Sequence, residues 1–344
     1  SFVKDNQACR VKSDGNSFIH FTAAEDNGLN FGVYQYLQDL GFRFYQPGTI
    51  WEMIPALASP YTKTDTVYSS GFRYKNWFIS GGCNKWMLDN KSDYDWDIYT
   101  GENGHDWSLY MRRNNMFGVS RFAGHRDDIM TTDFLNTFKN NLCYVAPYNG
   151  SREATRQSVP DINNIYAMQL WSTAIEQKFT QYKNTIYNNK NIYSNLYHNF
   201  SYAYANIGIE VPDGAHWANS RDNSGCSDAE YINESDQHFT LANYTVSKIK
   251  TAYPDKRYQL YAYDGHANVP SSKIVIDENI DIQVVPAGFQ NESSAKGLLN
   301  RWYSRTKNIS EYHYLNLPQW SGETPSFFLN DLKNTLQRVK SKKA

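Results

Sequence analysis

The sequence predicts an α/β fold: a (β/α)8 TIM-type barrel, complete or one unit short of closure, preceded by a small α/β domain. Three observations carry this expectation. Strand-like and helix-like stretches alternate from about residue 70 to the carboxyl end, the pattern of βα units around a parallel sheet. A polar stretch at residues 59–70 separates that series from a short α/β opening. At 344 residues the chain has room for one large barrel and a small companion domain without covalent staples.

The opening domain is expected over residues 1–65. Residues 17–23 (Ser-Phe-Ile-His-Phe-Thr-Ala) alternate in strand fashion, and residues 30–40 place Phe31, Tyr34, Leu37 and Leu40 at helical spacing. Gly41 stands where a helix ends on a left-handed residue. Phe42-Arg43-Phe44-Tyr45 reads as a short strand broken by Gln46-Pro47-Gly48, and Ile54-Pro55 leads into the linker.

The barrel is expected over residues 66–344. Strands are read at 71–79, 117–124, 166–171, 202–210, 258–263, 280–285 and 311–315, seven in all, so an eighth is either concealed in a loop or missing. Helices are read at 106–116, 173–187, 239–252, 297–307 and 325–340, the last with a basic end that suits its dipole.

Charge removes some function classes. With 34 basic and 35 acidic residues the net charge is −1, which gives no field to draw the chain to nucleic acid or to an anionic membrane. No apolar run approaches the length of a membrane span. The opening Ser1-Phe2-Val3-Lys4-Asp5 lacks the make-up of a signal peptide and reads as the start of a processed chain. Cys9, Cys83, Cys143 and Cys226 form no C-x-x-C pair, so neither a zinc knuckle nor a dense disulfide framework is indicated. Gly-x-Ser-x-Gly, Walker and Gly-x-Gly-x-x-Gly motifs are absent, leaving acyl transfer, phosphoryl transfer and dinucleotide chemistry without their signatures. No cofactor and no metal are expected.

What remains favours sugars. Aromatic residues make up 16% of the chain, with 27 Tyr and 9 Trp, and such rings stack on sugar C–H faces while their polar edges bond hydroxyls. In a barrel, chemistry sits just after each strand. That rule selects Arg73 and Lys75 on the first strand, His125 after the second, Glu210 and Asp213 after the fourth, Tyr263 and Asp264 after the fifth, and Tyr312 to Asn316 around the seventh. Glu210 and Asp213 lead because Pro212 interrupts the ladder between them and lets both carboxylates turn into one mouth. Glycoside cleavage needs one protonated acid and a second group that attacks, activates water or positions a substrate amide. The bland alternative is a turn at Asp213-Gly214 and an ion-paired Glu210. His216 and Trp217 follow as a stacking wall or, equally, as loop core. Trp77, with Trp86, Trp96 and Trp107, crowds the loop after the first strand, and Trp320 completes the substrate-binding candidates.

Residues 32–48, Gly-Val-Tyr-Gln-Tyr-Leu-Gln-Asp-Leu-Gly-Phe-Arg-Phe-Tyr-Gln-Pro-Gly, followed by Ile54-Pro55, resemble the signature of the small domain that precedes the barrel in α-glucuronidases. Downstream, Phe72-Arg73-Tyr74, Arg112 to Met116, Gly124-His125, Pro212-Asp213-Gly214, Cys226 and Tyr253-Pro254-Asp255-Lys256 are similar to bacterial secreted proteins of glycoside hydrolase family 163. Those are endo-β-N-acetylglucosaminidases acting on complex N-glycans. The resemblance implies a (β/α)8 barrel, a retaining mechanism assisted by the substrate's acetamido group, and a secreted, periplasmic or outer-surface bacterial protein. It also implies an acidic pair after the fourth strand, with Asp213 matching the family's Asp-Gly. Two other readings stand beside it: a uronidase using Arg73, Lys75 or Arg121 against the sugar carboxylate, and a glycan-binding protein on a barrel scaffold.

Overall fold

A computed structural model of the chain describes residues 8–24, 26–45, 52–69, 113–114, 125–126, 128–188, 206–220, 226, 233–286, 292–313 and 329–342. The chain divides into two compact units, Ser1–Val119 with Ile186–Tyr202, and Ser120–Thr185 with Ala203–Ala344.

In the first unit, β1 (Cys9–Ser13) lies between β2 (Ile19–Ala23) and β5 (Thr64–Tyr68), antiparallel to both. Helix α1 (Asp26–Asp39) covers one face, where Cys9, Val11 and Tyr36 form the core. The alternation in β1 decides the faces: Cys9, Val11 and Ser13 are buried, while Arg10 and Lys12 are exposed. Outside, Arg10 grips Asp65 of β5 through two nitrogens at 2.8 and 2.9 Å. The short pair β3 (Arg43–Phe44) and β4 (Glu52–Met53) completes the unit's described strands. Gly41 ends α1 at φ +100, a conformation a side chain would strain, as its position after the helical repeat predicts. The expected linker is a linker only in its first half. Residues 64–68 pair with β1, so the strand ladder runs through the cut expected near residue 65. Arg113 and Asn114 also belong here, through a bond of 2.9 Å from the Gln38 side-chain amide to Arg113 O and one of 3.0 Å from the Asn114 side-chain amide to Phe44 O.

The second unit is organised on a four-stranded parallel sheet, β6 (Asn206–Gly208), β7 (Arg257–Ala262), β8 (Ile280–Val284) and β9 (Ile309–Glu311), in that order. Its helices are α2 (Thr132–Asn140), α3 (Ile165–Asn188), α4 (Glu234–Ile249), α5 (Glu292–Arg305) and α6 (Leu329–Lys342). A run of neighbouring parallel strands in chain order is shared by (β/α)8 barrels and singly wound open sheets. Tyr258, Leu260, Ala262, Ile280, Ile282 and Val284 of the sheet share one core with Phe239, Val246 and Ile249 of α4 and with Leu298, Leu299 and Trp302 of α5.

One expected strand is corrected. Residues 166–171 are the opening of helix α3, not a strand. Asn164 begins the helix by accepting from the amides of Tyr166 and Ala167 at 3.1 and 3.2 Å. Trp171, Ile175 and Phe179, four residues apart, form the buried stripe of this helix. The strand read at 311–315 is displaced as well, since β9 spans Ile309–Glu311. Strand candidates 71–79 and 117–124 lie outside the described residues, as does most of helix candidate 106–116.

Candidate functional site

The carboxyl ends of β6, β7 and β9 gather several of the predicted residues. Beyond β6 the ladder continues as extended chain, with Ile209 donating to Gln259 O at 2.9 Å. Asp213 and Gly214 then turn, Gly214 at φ +65. Asp213 has a side chain 67% exposed, and its Oδ1 lies 3.5 Å from Nε2 of His125. The other ring nitrogen of His125 lies 3.3 Å from Val211 O. Both nitrogens thus face oxygen atoms. The His125 ring sits 5.3 Å from Tyr261 and 5.8 Å from Tyr263, and Tyr261 stacks on Tyr312 at 5.9 Å. One acid, one imidazole and three phenols therefore border the same strand ends. Asp264, exposed and at φ +46, lies two residues past the end of β7.

Glu210 does not join them at the surface. It is 0% exposed, and its Oε2 accepts from the backbone N–H of Tyr261. Its neighbours are His266, with Nε2 3.2 Å from Oε1, and His238, with Nε2 3.8 Å from Oε2. The two imidazoles stack at 4.1 Å with planes 8° apart. Burial pushes the Glu210 carboxyl up, but His238, His266 and the Tyr261 amide together hold it below the ordinary range. His238 is driven below the ordinary imidazole range, by burial first and by His266 second. The single open mouth expected for Glu210 and Asp213 is therefore divided: Asp213 faces solvent and Glu210 lies beneath.

Trp217 is corrected in the same way. At 1% exposure it is core, with its ring edge-on to His238 and His266 at 5.4 and 6.0 Å, and it offers no wall to a sugar. His216 stacks on Tyr148 at 4.2 Å, and its amide donates to Gln157 O at 2.8 Å. This fastens the loop after β6 to residues 148–158, and a disulfide between Cys143 and Cys226 fastens it again. Arg73, Lys75, Trp77, Arg121, Asn316 and Trp320 lie outside the described residues.

Three residues that the sequence reading passed over belong to this region: Glu234, His238 and His266. Glu234 and His238 are four apart in the first turns of α4, one face of a helix, and that spacing was the signal available. The Glu234 carboxylate lies against Gly265, where a Cβ would fall 1.6 Å from its Oε2. Its pKa is raised, by burial chiefly, with Asp264 adding and His266 opposing. At the opposite, amino-terminal end of the sheet a groove is lined by Arg257, Glu278, Arg305 and Lys307, among others. Arg257 there is committed to Asp281 and Arg305 to backbone carbonyls.

No protein-family model, curated protein or solved structure matches this chain.

Proposed function

We propose that the chain is a carbohydrate-active hydrolase working at the carboxyl ends of its parallel strands. The observation that carries this reading is the Asp213–His125 pair bordered by Tyr261, Tyr263 and Tyr312. In parallel α/β sheets this is the end where loops collect catalytic groups. More particularly, the reading is of a retaining, substrate-assisted glycosidase on a (β/α)8-type barrel that acts on N-acetylhexosamine-containing glycans, like an endo-β-N-acetylglucosaminidase. Asp213 orients the acetamido group, and His125, Tyr263 and Tyr312 hold hydroxyls. The enclosure of Glu210 takes the proton-donor role from it. Glu234, half-buried and held toward its protonated form, takes that role here. The Cys143–Cys226 disulfide supports work in an oxidising compartment, in keeping with a secreted or periplasmic protein. No described helix is long and apolar enough to cross a membrane.

The test is release of sugar from complex N-glycans by wild type, Asp213→Asn and Glu234→Gln. The expected loss is on the order of 100-fold or more in kcat for each variant. Equal rates in wild type and Asp213→Asn sink the mechanism. A glycan-binding protein without turnover is the second reading, favoured by the burial of Glu210. It predicts unchanged glycan affinity in both variants and no product from any of the three proteins.

A further inference from the structure

Buried polar atoms in folded proteins nearly always find partners, so a cluster that does not calls for an explanation. Beneath the Asp213–His125 surface, Oε1 of Glu210, both ring nitrogens of His238 and Nε2 of His266 are all buried without a hydrogen bond. His266 Nε2 stands 3.2 Å from the carboxylate, within ion-pair range. One ligand atom from each of the three residues falls within 4.8 Å of the other two. The residues come from three separate segments: the end of β6, the second turn of α4, and the short turn Asp264–His266 after β7.

We infer that Glu210, His238 and His266 form a binding site for a first-row transition cation, with Zn2+ as the representative ion. Two imidazoles and one carboxylate are a donor set zinc uses, whereas Ca2+ and Mg2+ prefer oxygen throughout. A neutral imidazole and an ionised carboxylate are the forms that ligate. Tetrahedral bonds of about 2.1 Å put donors roughly 3.4 Å apart, so the cluster must contract by about an ångström. A cation lies in the plane of each imidazole that binds it, and two stacked rings have no common plane. Loading therefore turns one of the two rings out of the stack, against the edge of Trp217. The ion would tie the loop after β6, helix α4 and the loop after β7 into one piece directly under the candidate mouth. The ion site is independent of the glycosidase reading: a chain that cleaves no glycan can still hold it, and an active glycosidase can lack it.

The experiment is zinc binding by the full chain, stripped with a chelator and checked for folding by circular dichroism. Isothermal titration with ZnCl2 is expected to show one site per chain, and Co2+ in place of zinc to show visible d–d bands of a tetrahedral nitrogen–oxygen site. His266→Asn and His238→Asn should weaken zinc binding at least ~100-fold, while His216→Ala, outside the cluster, leaves it unchanged. Folded wild type that takes up no zinc in the micromolar range overturns the inference. So does zinc binding of equal strength in wild type and both cluster variants. If either variant fails to fold, the wild-type stoichiometry and the cobalt spectrum decide.

Discussion

Replacing both Cys143 and Cys226 by serine removes the one cross-link among the described residues that joins the segment after α2 to the loop after β6. The two cysteines are 83 residues apart. Closing a loop of that length costs the unfolded chain about 4.5 kcal/mol at 25 °C in the chain-entropy model, and native disulfides typically realise 2–4 kcal/mol of such values. With a urea slope on the order of 3 kcal/mol per molar, the midpoint of the double variant should fall by roughly 1 M. Thiol titration in denaturant should show two thiols released by reduction of wild type that the variant lacks. The bond also sits beside contacts that hold the same loop, Asn219 N to Pro147 O at 3.1 Å and Asn149 N to Asn219 Oδ1 at 2.8 Å. Loss of the disulfide should therefore raise hydrogen exchange first at residues 213–220. An unchanged urea midpoint with the two thiols accounted for would refute the loop-closure argument.

Trp302 of α5 is 0% exposed, packs on Phe239 at 5.4 Å and donates its indole N–H to Ala267 O at 2.8 Å. Trp302→Ala should cost about 3–5 kcal/mol in urea denaturation, and a cost below about 1 would show that the sheet–helix core does not depend on it. Asn233 caps α4 by accepting from the Asp236 amide at 2.9 Å, so Asn233→Ala should lower stability by about 1 kcal/mol and Asn233→Asp by much less. Glu311, at the end of β9, is held below the ordinary carboxylate range: burial raises it, and bonds from His313, Arg338 and Tyr303 more than offset that. Its folded pKa is lowered, so its contribution is present above the unfolded value of about 4.3 and is lost as pH falls through the folded one. Urea midpoints followed from about pH 6 to 3 should drop less steeply in Arg338→Gln than in wild type, and parallel curves would remove Glu311 from the acid response.

Two strands of the parallel sheet were the most legible part. β7 and β8 match the expected ranges to within one residue at either end, because branched and aromatic residues sit there between turn signals. Helix α4 was read five residues late, at 239 instead of 234, because its opening Glu-Ser-Asp-Gln-His is polar. All of these but Glu234 are buried, for reasons no periodicity records. Gln237 exchanges two hydrogen bonds with Ala218 of the loop after β6, and Asp236 accepts from the Ser271 amide in the loop after β7. The same blindness hid the histidine cluster, since His238 and His266 meet Glu210 only once three distant segments are folded together. Asp213, Tyr263 and Tyr312 lie where the strand-end rule put them, just past β6, β7 and β9, and His125 lies beside Asp213 and Tyr263, while the strand read before it falls outside the described residues. Glu210 and Trp217 failed under that rule for one reason. Alternation assigns a residue to a face of a strand, but past the last ladder bond it does not say whether the chain turns inward.

A chain synthesised amino end first presents Cys9, then Cys83, then Cys143, and only much later Cys226. The native pair joins the last two, so every earlier encounter is with a wrong partner. Cys9 is withdrawn from that contest by the sheet β2-β1-β5 and helix α1, all complete by residue 68, which leave it fully buried. Early folding of this sheet and helix is thus a form of thiol protection, and variants that loosen it, such as Tyr36→Ala, should accumulate mispaired Cys9 species under oxidising conditions. Non-reducing electrophoresis of protein refolded in air would count them.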